Sequence, residues 1–66
     1  MQEFIKRMLI EREDLKGKIS RAKKIVKNPP FGADAKSMEL LEGQIKPMEE
    51  YLNFLEQRIV YAGGTL

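Results

Sequence analysis

Apolar residues recur along the first half of the chain at Ile5, Met8, Leu15, Ile19, Ala22 and Val26. With Arg12 included, they follow one another at alternating spacings of three and four. That alternation is the seam of a coiled coil, whose two apolar positions per heptad face a partner helix. The same pattern returns at Met38, Leu41, Ile45, Met48, Leu52, Leu55 and Ile59, where every position is apolar. Between the two stretches lies Asn28-Pro29-Pro30-Phe31-Gly32-Ala33-Asp34. Two prolines and a glycine end a helix and favour a compact connection. The spacing predicts one helical-hairpin domain over residues 1–66: a helix over about 2–27, a turn over 28–34, a helix over about 35–61 and a tail over 62–66.

Local signals agree. From Gln2 to Lys27 there is no proline, the one glycine, Gly17, falls off the seam, and Lys, Arg, Glu, Leu, Ile and Met are mostly good helix formers. Asp34 is the candidate N-cap of the second helix, with Ser37 as the weaker alternative. Pro47 lies inside the second helix and crowds the carbonyl four residues back, which belongs to Gly43, the residue type best able to adjust. A continuous helix with a bend near residues 43–47 is predicted. Gly63-Gly64 should stop it, leaving Thr65-Leu66 to fray, and Phe31 is expected to fold back over the end of the seam.

A short turn between two helices makes an antiparallel hairpin. If Ile5 meets Ile59, then Leu15 lies near Met48, Ile19 meets Ile45 and Val26 meets Met38. This register sets Lys16 and Lys23 opposite Glu49 and Glu42 on one flank. Opposite charges on facing edges are usual beside a coiled-coil seam. On the other flank, Phe4 comes near Arg58 and Glu11 near Tyr51, with Arg7 and Phe54 one position further out.

Composition narrows the picture. In 66 residues there is no Cys and no His. Zinc sites, thiol nucleophiles and imidazole acid–base chemistry are excluded. Ser20, Ser37 and Thr65 lack a histidine base, the glycines form no phosphate-binding loop, and the acidic residues of the second helix lack the Glu-x-x-His of a di-metal bundle. No catalytic residue, metal site or cofactor is expected, and the chain is read as a non-enzyme. Apolar runs such as Met8-Leu9-Ile10 are too short to span a membrane, and Met1 followed by Glu3, Lys6 and Arg7 does not resemble a signal peptide. A cytosolic setting is expected. The net charge of +2 hides a split, with nine basic and four acidic residues in 1–33 against three basic and six acidic in 34–66. The two halves attract, so the run Lys16, Lys18, Arg21, Lys23, Lys24, Lys27 is partly neutralised internally. It holds no aromatic residue for base stacking, which disfavours a nucleic-acid partner.

A chain this short is marginal alone. Phe4, Leu9, Ile10, Ile25, Leu40, Tyr51, Phe54, Val60 and Tyr61 all lie off the seam, and one hairpin cannot bury them. Self-association into a homo-oligomeric helical bundle is predicted, a dimeric four-helix bundle being the minimum. Arg12, the charged seam position, either fixes register and oligomer state or projects into a ligand cavity. Phe4, Arg7, Glu11, Tyr51, Phe54 and Arg58 gather near the open end of the hairpin. Aromatic faces stack on a base, guanidinium forks grip phosphate, and a carboxylate accepts from a ribose hydroxyl or exocyclic amine. The same residues equally fit oligomer core plus an ordinary Arg7–Glu11 helix pair.

The layout resembles a family of very small helical-hairpin proteins of tailed bacteriophages, the crAss-like phages and their relatives. The residues carrying the likeness are Phe4-Ile5-Lys6-Arg7-Met8, Glu11 with Leu15 and Ile19, Asn28-Pro29 and Phe31 in the turn, Leu40-Leu41, Gln44-Ile45, Met48, Tyr51-Leu52, Leu55 and Arg58-Ile59. Pro47 and the Gly-Gly tail depart from that pattern. The resemblance implies the behaviour of phage sponge proteins. Such proteins act in the host cytoplasm and sequester, without cleaving, cyclic nucleotide or ADP-ribose-derived signals of the CBASS and Thoeris immune systems. It implies an anionic nucleotide signal as partner, besides the chain itself, and Phe4, Arg7, Glu11, Tyr51 and Arg58 as ligand contacts. The competing reading is a small adaptor that docks on a host or phage protein through its spare apolar face.

Overall fold

The chain reverses at a turn that its residues dictate. In the computed structural model, which describes residues 3–66, helix α1 spans Glu3–Lys27 and helix α2 spans Ala35–Tyr61. The expected start of the first helix at Gln2 lies outside the described residues. Lys24 and Lys27 occupy the last turn of α1, where cations meet the negative end of the helix dipole. Between the helices, Ala33 N–H donates to the Pro30 carbonyl at 3.0 Å and Gly32 has φ +83°. These are the marks of a type II turn, whose third residue needs positive φ and therefore glycine. Phe31 is the second residue of that turn and is fully exposed. It does not fold back over the seam as its apolar character led us to expect. A residue at the tip of a tight turn projects away from the elements that the turn joins.

Asp34 caps α2. Its carboxylate accepts from the backbone N–H of Lys36 at 3.4 Å and of Ser37 at 3.3 Å, and also from the Ser37 hydroxyl at 3.1 Å. The helix then runs unbroken through Pro47. At its far end Gly63 adopts φ +98°, its N–H donates to the Val60 carbonyl at 3.0 Å, and Gly64 N–H donates to the Ile59 carbonyl at 2.9 Å. This is a Schellman closure.

The two helices lie antiparallel in a rod with extents of 46 × 16 × 14 Å, and each seam position is buried or half-buried. Packing is tightest at the open end, where Ile5, Met8, Leu55 and Ile59 form one cluster flanked by Leu9 and Ala62. Leu55 and Ile59 are wholly buried. Burying a side chain of this size stabilises by about 1.5–3 kcal/mol. Toward the turn, Val26, Met38, Leu41 and Ile45 are only half-buried. A Cβ at Gly64 would stand 2.9 Å from a methyl of Ile5 and 2.9 Å from one of Ile59, so the backbone of Gly64 closes the core.

On the charged flank the long side chains do not meet straight across the seam. Lys23 pairs with Glu49 at 2.7 Å, whereas the expected register had Lys16 opposite Glu49 and Lys23 opposite Glu42. On any helix the side chain leans toward its own N-terminus. In an antiparallel pair the two leans converge, so long partners meet across a greater axial offset than apolar seam residues do.

Candidate functional site

The residue preceding each seam position defines one flank of the hairpin. On α1 these positions include Phe4, Arg7, Glu11 and Ile25, and on α2 Leu40, Tyr51, Phe54, Arg58 and Tyr61. Successive members stand three or four residues apart, so each helix presents them on one stripe. All nine are exposed.

The structure joins the two stripes through Tyr51 and Glu11, whose side chains meet as the sequence register predicts. The Tyr51 hydroxyl donates to Glu11 Oε2. That hydrogen bond and the adjacent carboxylate charge hold the Tyr51 phenol above its ordinary pKa, since both disfavour a second negative charge. The positive charge of Arg58 acts in the opposite direction, which sets its guanidinium within electrostatic reach of the phenol. Tyr51, Glu11 and Arg58 thus form one interacting group. Among the described residues neither Arg7 nor Arg58 forms an ion pair. Arg7 in particular does not pair with Glu11 in the ordinary one-turn manner, leaving its donor fork open. Phe4 and Phe54, 53% and 63% exposed, offer ring surface on either side of this group.

The six sequence-derived residues therefore share one open face rather than an enclosed pocket. Two shallow grooves lie elsewhere. One, between Lys16, Ile19, Ser20, Lys23, Glu49 and Leu52, runs along the opposite flank. The other is bordered by Asn53, Glu56, Gln57, Val60, Tyr61 and Leu66 at the end of α2.

Arg12, left open between two roles by its position on the seam, is held across the helices. Its Nε donates to Glu56 Oε2 at 2.6 Å and one terminal nitrogen lies 3.3 Å from Glu13. Its side chain is only 17% exposed. Glu56 went unnoticed in the sequence, although its place one residue after the seam position Leu55 puts it on the flank facing Arg12. Among the described residues no cluster of three or more carboxylate-type or other metal-ligating side chains is present, and no helix is long and apolar enough to cross a membrane.

A family model described as Sequestin matches residues 2–61. No curated protein and no solved structure matches the chain. The family match extends over nearly the whole hairpin, so the chain belongs to the Sequestin family.

Proposed function

We propose that this member of the Sequestin family is a phage-encoded sponge that binds an anionic nucleotide immune signal and withholds it without cleaving it. The signal is a cyclic nucleotide or an ADP-ribose derivative of the CBASS or Thoeris type, captured in the host cytoplasm by a homo-oligomer of single-domain hairpins. The observation that carries the reading is the family match over residues 2–61, whose name speaks of sequestration. The open-end face supports it with suitable chemistry. Phe4, Tyr51 and Phe54 supply stacking surface, Arg7 and Arg58 supply phosphate forks, and Glu11 supplies an acceptor for a ribose hydroxyl or exocyclic amine.

Calorimetry with cyclic di- and trinucleotides, ADP-ribose and its cyclic forms tests the reading. At least one should bind, and chromatography should return it unaltered. Arg58→Ala and Tyr51→Ala should weaken capture by about tenfold or more while leaving the helical content intact, as loss of a charge-assisted or stacking contact would. Absence of heat with every member of the panel overturns it. The exposure of Phe54 and Tyr61 also supports an adaptor that docks on a host or phage protein. In that case nucleotides would leave the melting temperature unmoved and a host protein would co-purify.

A further inference from the structure

The turn leaves one large apolar side chain without a role in the hairpin. Phe31 is fully exposed at the turn end of the rod, away from the open end where the candidate site lies. Pro29 and Pro30 fix the backbone before it, and Gly32 at φ +83° completes the type II turn, so the ring is held out on a stiff support. Lys24 and Lys27 in the last turn of α1 and Lys36 in the first turn of α2 stand close by in the chain, all exposed. Between residues 24 and 37 the one acid is Asp34, whose carboxylate is engaged by the backbone of α2. Among the described residues Lys24 and Lys27 form no ion pair. We propose that this tip is a membrane-surface contact, in which Phe31 enters the interfacial region of an anionic lipid bilayer and the three lysines meet its phosphates.

Area and charge select this occupant. The end of the rod measures 16 Å by 14 Å and covers roughly 220 Å², far short of the ~800 Å² per partner of a stable protein complex. A second copy meeting tip to tip would set Lys24, Lys27 and Lys36 against their own kind. A lipid surface needs no such area, because one aromatic ring buried at the boundary of headgroup and acyl chain and a few cations over anionic headgroups suffice for contact. The long lysine stems lie along apolar surface while their ammonium groups stay at the level of the phosphates. Ile25 and Leu40, 39% and 59% exposed within two helical turns of the tip, extend the apolar surface behind Phe31. The rigid turn presents the ring already placed, so insertion orders little of the chain. A single ring with three charges gives reversible attachment rather than anchoring. The contact does not rest on the nucleotide-capture reading, and it leaves the open-end face clear of the bilayer.

The chain has no tryptophan, so Phe31→Trp in the full chain is a reporter of its own surroundings. Its emission should shift to the blue when vesicles of phosphatidylcholine mixed with phosphatidylglycerol are added, and should stay unmoved with phosphatidylcholine alone. Added salt should reverse the shift as the lysines are screened. In vesicle co-sedimentation of the otherwise native chain, Phe31→Ser should lower partitioning by about tenfold, the size expected for one aromatic side chain. Lys24→Ala and Lys27→Ala should each lower it by about fivefold. Circular dichroism should be unchanged in all three, since each side chain is exposed. Tyr61→Ser, which removes a 94% exposed ring at the opposite end, should partition as the wild type does. No blue shift with the mixed vesicles, an equal shift with phosphatidylcholine alone, or an equal loss in Tyr61→Ser overturns the proposal. A shift produced by membrane-free host extract and by neither vesicle shows that the tip docks on a protein, and overturns it as well.

Discussion

One flank of this hairpin faces inward by charge, and the other faces outward by apolarity. Both are built on the same seam, a single residue after it or before it. On the first, Lys23 pairs with Glu49 and Glu56 with Arg12, which reaches out from the seam, tying α1 to α2. On the second, one hydrogen bond between Tyr51 and Glu11 crosses the helices, and around it Phe4, Phe54 and Tyr61 remain in water. Exposed ion pairs add little stability but favour one register. The exposed parts of aromatic rings add little to the hairpin and acquire value when something covers them. The contrast separates residues that shape the hairpin from residues left for another molecule.

The comparison can be broken at its root. Leu55 underlies both flanks and is wholly buried, so Leu55→Ala should cost about 2–5 kcal/mol. In a thermal melt followed by circular dichroism, the expected outcome is loss of both flanks in one transition. A smaller disturbance is Glu56→Ala, which strands the poorly exposed Arg12 guanidinium on the polar flank. Removing one partner of such a pair should cost about 1–3 kcal/mol, visible as a lower denaturant midpoint. Lys23→Ala cuts the more exposed bridge on the same flank. It should cost under about 1 kcal/mol, and the difference from wild type should shrink as salt is added.

The smallest expected effect lies on the aromatic flank and is one of pH. The folded state holds Tyr51 above its ordinary pKa, first through the hydrogen bond to Glu11 and then through the charge of that carboxylate. A pKa raised on folding contributes stability that is fully present below the ordinary phenol value and is lost as pH rises through the raised one. Wild type should therefore lose stability relative to Tyr51→Phe only in the alkaline range above the ordinary tyrosine pKa, with no divergence near neutrality. In an ultraviolet titration, Glu11→Gln should bring Tyr51 down toward its ordinary value. An unchanged titration would show that Glu11 does not control the phenol.

Much of the fold could be read from the residues because its causes are local. The three-four spacing is a property of the helix, the Asp34 cap and the Pro-Gly turn act within a few residues, and together they specify two helices that reverse. The meeting of Tyr51 with Glu11 was legible for a related reason: once the seam is aligned, each flank position follows by rotation. The tertiary structure decided what depends on side-chain length and on the path of the backbone between elements. Lys23 chose Glu49 because leaning side chains converge in an antiparallel pair, and Arg12 found Glu56 by reaching off the seam. Phe31 turned outward because it occupies the tip of a tight turn, a consequence of geometry that its hydrophobicity conceals. Gly64 closes the core against Ile5 and Ile59 because the left-handed residue before it redirects the chain across the helix end. Periodicity determined which residues share a face. The three-dimensional arrangement decided which of them touch, because contact depends on reach and direction as well as on spacing.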